Sequence, residues 1–172
     1  HFRAATEMML DGIATKLESD GALWLIGTAA EGIHAARHLL LKHFKVVVSV
    51  AELGDSTFSI LHATGFCPPT APRSLDSWRK TTTLQLSGQS LPWATYPGLF
   101  ANGELDVMTS ALLAAIPKPP NGAKVLDVCC GSGTIATALL LQNPTIVVEL
   151  LDNDAVAIKA AKRNVKSAAA IH

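Results

Sequence analysis

An α/β fold, built as two successive runs of short strands alternating with helices, is what this chain predicts, and three observations carry the expectation. Residues 124–128 and 145–151 are short apolar, β-branched runs, while 134–142 and 154–167 have helical spacing, so the C-terminal part reads strand, glycine loop, helix, strand, helix. The N-terminal part alternates in the same way, with helix over 3–18, strand over 22–26, helix over 33–41 and strand over 45–50. Gly27, Gly131 and Gly133 fall at strand ends, where the chain must turn back sharply. The C-terminal order is that of a Rossmann-like opening.

Each element has its own local reason. Ala5, Met9, Ile13 and Leu17 recur every four residues with Met8 beside them, the stripe of an amphipathic helix that should stop near Asp20 and Gly21. Residues 22–26 read as a short buried strand broken by Gly27, and Ile33, Ala36, Leu40 and Leu41 form the next helical stripe. With the strand at 45–50 and a further strand from Thr57 to Leu61, these elements predict a small parallel sheet covered by helices. Composition then shifts: Pro68, Pro69 and Pro72 and many Ser and Thr mark a linker, and the alternation over 81–86 marks a hairpin or edge strand. Leu105, Met108, Thr109, Leu112, Leu113 and Ile116 fit a helix closed by Pro117. The organisation predicted is an N-terminal half-domain (1–66), a linker or hairpin (67–91) and a second α/β domain (92–172) that is incomplete at its C-terminal side.

Composition excludes several classes. The 172 residues carry 14 Lys plus Arg against 14 Asp plus Glu, and only 16% are charged, so neither a disordered tail nor a broadly basic nucleic-acid surface is expected. Any nucleic-acid contact must be regional. No apolar run approaches the roughly 18 residues a bilayer span needs. Cys67 stands alone and Cys129 and Cys130 are adjacent, a pattern that offers neither a disulfide framework nor a CxxC metal knuckle. No metal is expected, and a reducing compartment, the cytoplasm or the mitochondrial matrix, is. The chain opens at His1 with neither Met nor a basic-then-apolar leader, which suggests a processed or trimmed polypeptide.

The string VLDVCCGSGTIA carries the chemistry. It puts Asp127 near the end of a strand and Gly131 and Gly133 in the turn, just ahead of a helix N-terminus where backbone amides can approach a ligand. Residues 131–136 satisfy G-x-G-x-x-G/A and Asp152 follows about twenty residues later, so a nicotinamide or flavin dinucleotide site is formally allowed. Charge separates the alternatives better than spacing. A dinucleotide brings an anionic diphosphate against a loop that carries a carboxylate. S-adenosylmethionine instead brings an ammonium and a sulfonium, which suit Asp127, while its carboxylate suits the helix N-terminus and its ribose hydroxyls suit Asp152.

VLDVCCGSG, with LDND after the next strand, resembles motifs I and II of the class I methyltransferases. The strings YPGLFANGELDVMTSALL and WLIGTAAEGI narrow the resemblance to the methyltransferase-small family, and to its two-domain members that methylate the exocyclic N2 of guanine in small-subunit ribosomal RNA. The resemblance implies a degenerate, cofactor-free copy of the fold in residues 1 to about 65 and an S-adenosylmethionine-binding domain after it. It implies cofactor contacts from Asp127, Cys129, Gly131, Gly133, Asp152 and Asn153, with Asp106 and Thr109 closing over the methionine end. It also places Phe100 and Tyr96 near the substrate, and it makes ribosomal RNA or the small ribosomal subunit, together with assembly-factor proteins, the partners.

Two departures from the family pattern stand out. Cys129 occupies the position of the usual first glycine of motif I, a replacement tolerated if its φ stays negative. The family's catalytic Asn-Pro-Pro-aromatic motif follows the fourth strand, and neither Pro119-Pro120-Asn121 nor Asn143-Pro144 qualifies, because each precedes a strand. The catalytic residues are therefore expected outside this chain, as is whatever covers the apolar faces of a two-stranded sheet. A catalytically inactive, methyltransferase-like ribosome-assembly or ribosome-bound factor is the alternative reading.

Local readings compete with the functional ones. Asp106 can simply cap its own helix, and Tyr96 and Phe100 can be core anchors. Lys159, Lys162, Arg163 and Lys166 at i, i+3, i+4 and i+7 form one basic helical face, and Arg37, His38, Lys42, His43 and Lys45 a second cluster. Such faces are usually only solvated, and the first enters as a set of RNA-contact candidates because the resemblance supplies an RNA.

Overall fold

The four-residue apolar repeat does form a helix, α1 (Phe2–Ala14), in the computed structural model, which describes residues 2–53, 58–71 and 73–169. It stops earlier than the repeat alone allows, where the Thr15 hydroxyl donates to the Gly12 carbonyl at 2.7 Å. The described chain falls into two compact units, His1–Trp78 and Arg79–His172.

In the first unit β1 (Leu23–Thr28), α2 (Ile33–Leu40), β2 (Phe44–Leu53) and β3 (Phe58–Phe66) follow α1. The predicted parallel sheet is not what forms. β3 pairs antiparallel with both neighbours and sits between them in the order β1-β3-β2. Only residues 54–57 separate β2 from β3, whereas a parallel crossover takes roughly a dozen residues or more. The expected strand start at Thr57, like Pro72 of the predicted linker, lies outside the described residues. β1 is also not buried throughout: Leu23 and Leu25 pack against the core, while Trp24 and Ile26 face outward and Trp24 stacks on His62 with ring centroids 4.0 Å apart. The core joins Leu10 and Ala14 of α1, Leu39 and Leu40 of α2, and Phe44, Val47, Leu61 and Phe66 of the sheet. Asp11 accepts a hydrogen bond from Trp78 Nε1 at 3.0 Å, and the Arg73 guanidinium lies 3.7 Å over the Trp78 ring, tying the end of this unit to α1. Of the basic cluster here, Lys42 is paired with Glu7 at 3.0 Å.

The second unit opens with the hairpin β4 (Lys80–Leu86) and β5 (Gln89–Thr95), joined through Ser87 (φ 51°) and Gly88 (φ 76°). Two successive positive φ values are what a tight two-residue hairpin turn demands, and the Ser-Gly pair meets that demand. Leu84, Leu86, Leu91 and Trp93 alternate onto the covered face and pack with Ala138, Leu105, Leu113 and Leu141. After α3 (Val107–Ala115) comes the predicted unit: β6 (Lys124–Val128), α4 (Thr134–Gln142), β7 (Val147–Leu151) and α5 (Ala155–Ala169). β6 and β7 are parallel, Asp127 level with Leu150. Val125, Val148, Ile135 and Val165 fill the side covered by helices, whereas Leu126, Val128, Val147 and Leu151 are each more than half exposed on the other face. Among the described residues no helix is long and apolar enough to cross a membrane.

Candidate cofactor-binding site

The parallel β6-α4-β7 arrangement brings the C-terminal ends of both strands to one edge, which is where ligands settle in such sheets. Between β6 and α4 the chain turns through residues 129–133, and the turn is fastened from several sides. Cys130 N–H donates to the Leu151 carbonyl at 3.1 Å and Gly131 N–H donates to Asp152 Oδ2 at 2.8 Å, locking the loop to the end of β7. Gly133 adopts φ 87° as the residue ahead of α4, and a Cβ there would lie 3.2 Å from the Ala161 Cα. Glycine is thus demanded twice at this position, by backbone conformation and by the approach of α5.

The loop forms one wall of a cavity of about 330 Å³. Cys129, Gly131, Thr134 and Asp152 line it, together with Phe100, Glu104, Asp106 and Thr109 from the segment that leads into and opens α3. Six predicted site residues therefore meet here: Phe100, Asp106, Thr109, Cys129, Gly131 and Asp152. Asp127, Gly133, Asn153 and Tyr96 are not among the lining residues. Asp127 lies buried behind the loop, where its Oδ2 accepts the Ala136 N–H at 3.1 Å, and Tyr96 is buried as a core anchor. Glu104, Ser132 and Thr134 also line the cavity; none of them is among the predicted site residues.

Charge is concentrated on the acceptor side. The Asp152 carboxyl is held below the ordinary carboxylate range by the amides of Asp154 and Gly131. Asp106 is held low by Thr109, hydroxyl first and then amide, and by the Met108 amide; its Oδ1 caps α3, accepting Met108 N–H at 2.9 Å and Thr109 N–H at 3.2 Å. Asp127 moves the other way: burial raises its carboxyl, the Ala136 amide opposes, and the nearby Asp152 charge adds to the rise. Burial and then the charges of Asp127 and Asp152 push the Cys130 thiol up to about 11, which leaves it protonated and unsuited to nucleophilic or metal chemistry at neutral pH.

Backbone strain gathers at the same cavity. Two of its lining residues, Cys129 at φ 58° and Ala101 at φ 56°, are left-handed. The negative φ on which tolerance of a thiol at position 129 depended is therefore not adopted. A left-handed non-glycine residue costs about 1–2 kcal/mol, of which a glycine replacement returns part through its own looser unfolded chain. Cys129→Gly is accordingly expected to stabilise the fold by roughly 0.5–1 kcal/mol, read as a higher urea midpoint at unchanged slope.

Of the basic residues on α5, Lys162, Arg163 and Lys166 are exposed and Lys159 is half-buried, while Ala160, Ala161 and Asn164 turn inward.

A parallel β-α-β unit whose glycine loop opens on a carboxylate-lined cavity defines the C-terminal part as an α/β domain with a cavity at its strand ends. Residues 91–171 match the family model Methyltransferase small domain. Similar chains include ribosomal RNA small subunit methyltransferase C of Hahella chejuensis, 31% identical over 167 residues, or 96% of this chain and 47% of the relative. The protein of that name from Psychromonas ingrahamii is 31% identical over 162 residues, 94% of this chain and 45% of the relative. The chain thus spans slightly less than half the length of these curated relatives. Its fold is shared with a T. thermophilus 16S rRNA N2 methyltransferase solved in complex with AdoMet and guanosine, with a TM-score of 0.72 at 18% identity over 93% of this chain and 43% of that one.

Proposed function

We propose that this chain holds the methyl donor of an S-adenosylmethionine-dependent ribosomal RNA methyltransferase that modifies guanine N2 in the small subunit. In this reading residues 92–172 begin a class I methyltransferase domain of Rossmann-like topology, and residues 1–66 are a degenerate copy of it. The observation that carries the reading is electrostatic: among the described residues, those that line the cavity at the glycine loop include Glu104, Asp106 and Asp152 and no Lys, Arg or His. Such a lining fits a ligand with an ammonium and a sulfonium and disfavours a diphosphate. The named relatives and the AdoMet-bound neighbour support the same choice.

Bound here, S-adenosylmethionine supplies an activated methyl group. The chain's own residues bind and orient. Asp152, already fixed by two backbone amides, presents its remaining lone pairs to a ribose diol. Glu104 and the outward oxygen of Asp106 face the cationic end, and the first-turn amides of α4 suit a carboxylate. Asp127 works from behind the loop, holding the start of α4 through Ala136. Phe100, 74% exposed on the rim, offers a ring face for a base, and Lys162, Arg163 and Lys166 offer charge to RNA phosphates.

Calorimetry on the full-length polypeptide with S-adenosylhomocysteine tests the reading. Saturable binding in the micromolar range, undisturbed by NAD, is the expected result, and no heat at high micromolar ligand removes it. The second reading, a ribosome-assembly factor that keeps the fold without turnover, is favoured by the strained Cys129 side chain in the pocket. It predicts that silent titration together with retained binding to the small subunit.

A further inference from the structure

Asn164 lies in the middle of α5 and is 2% exposed, the environment in which an amide side chain is expensive unless every polar atom is answered. Its partners are backbone groups far away in sequence. Oδ1 accepts the Ala94 N–H at 2.8 Å, and Nδ2 donates one proton to the Ala94 carbonyl at 3.0 Å and the other to the Ser132 carbonyl at 2.9 Å. With Ala94 the side chain exchanges a pair of bonds as a neighbouring strand would, so it completes the edge of β5. Its remaining proton fixes the carbonyl of the residue between Gly131 and Gly133, and with it the plane of the peptide that leads into α4. Trp93, next to Ala94, donates Nε1 to Ser132 Oγ at 3.3 Å, so β5 and α5 hold the same loop residue by side chain and by backbone.

We propose that Asn164 is a positioning residue for the cofactor loop: it sets the orientation of the Ser132 peptide while Asp152 holds the Gly131 amide, and thereby sets the affinity of the site for the adenosyl ligand. The inference rests on the S-adenosylmethionine reading of the cavity. An amide is required for this role. Oδ1 must accept while Nδ2 donates twice, a pattern that aspartate, leucine and alanine each fail to reproduce. Asn164→Asp is the sharpest replacement, because it keeps the volume and the bond from Ala94 N–H while turning a carboxylate oxygen toward two carbonyls.

The test uses the full-length polypeptide, with S-adenosylhomocysteine titrated into the wild type, Asn164→Asp and Asn164→Ala, and with initial rates measured against donor and RNA separately. The expected outcome is a loss of S-adenosylhomocysteine affinity of about tenfold or more in both variants, with the KM for S-adenosylmethionine rising in step. The KM for RNA, and kcat at saturating donor, should stay within about twofold, a split that general loosening of α5 would not give. A second measurement needs no variant: the Asn164 side-chain amide resonances of selectively labelled wild type should shift on saturation with S-adenosylhomocysteine. Wild-type affinity in a folded Asn164→Asp protein, a parallel deterioration of both KM values, or an unmoved amide resonance in the liganded protein overturns the proposal. Failure of the wild type to bind at all removes instead the cofactor reading on which it stands, and the proposal with it.

Discussion

Asp152→Ala is expected to weaken S-adenosylhomocysteine binding by about 30- to 100-fold and to lower the unfolding midpoint as well. One carboxylate does two jobs at the end of β7: Oδ2 receives the Gly131 amide at 2.8 Å and Oδ1 the Asp154 amide at 2.9 Å. Losing it frees the glycine loop from the strand end and removes the acceptors a ribose diol would use. A hydrogen bond to a charged group is worth about 1.5–3 kcal/mol, and each 1.4 kcal/mol or so is a factor of ten in affinity, which sets the range. Asp152→Asn should fall in between, because its amide can satisfy one of the two N–H groups and not both. The pH dependence has a definite sign. Backbone amides lower the folded-state value, so the ionised group's contribution is complete above the ordinary carboxylate range and is lost only as pH falls through the depressed value. Affinity attributable to Asp152 should thus be flat across neutral and mildly acidic pH. Calorimetric affinity of Asp152→Ala within threefold of wild type would show that the diol is held elsewhere.

The part of the site that can be read from the sequence is the part fixed by backbone conformation. Gly131 and Gly133 announce themselves because positive φ, and at Gly133 the close approach of α5, leave few alternatives, and Asp152 is found by its distance along a β-α-β unit. Asp127 shows how the same reading goes only halfway: a carboxylate at the strand end is visible, but its partner is the Ala136 amide behind the loop and its side chain does not line the cavity. Glu104 and Ser132 lie inside the motif strings but at positions that no motif fixes, and the Ser132–Asn164 contact joins positions whose only relation is three-dimensional. Asp106 serves both readings, since one oxygen caps α3 and the residue still lines the cavity.

The same division runs through the fold. Alternation of Leu84 with Leu86, and of Leu91 with Trp93, about a Ser-Gly pair specifies a hairpin and its covered face, so β4 and β5 can be anticipated locally. Strand direction in the first unit cannot. An apolar run such as that of β3 is equally compatible with parallel and antiparallel neighbours, and the decision falls to connection length, which forbids a crossover between β2 and β3. Hydrophobicity likewise does not say which side of β1 is covered. Trp24 and Ile26 are as apolar as Leu23 and Leu25, yet they face outward.

Gly133→Ala should damage the second unit severely, costing about 2–5 kcal/mol. Two independent penalties meet there. The backbone at φ 87° lies where an L side chain is strained, at about 1–2 kcal/mol. The added Cβ would also stand 3.1 Å from Val165 Cγ2 and 3.2 Å from both the Ala161 Cα and Cβ, so α5 would have to move away from the loop, an overpacking cost of about 1–3 kcal/mol. Gly131→Ala provides the control. Its φ of 53° is also left-handed, but nothing lies within 4 Å of the added Cβ, so only the conformational cost of about 1 kcal/mol applies to stability. The two variants should therefore separate by readout: a clear fall in urea midpoint for Gly133→Ala, and for Gly131→Ala a small fall in midpoint with a larger loss of S-adenosylhomocysteine affinity, since Gly131 lines the cavity. Equal midpoints for the two would mean that α5 yields freely at the loop. The rigid seat that Asn164 and Asp152 give the glycine turn would then be softer than its hydrogen bonds imply.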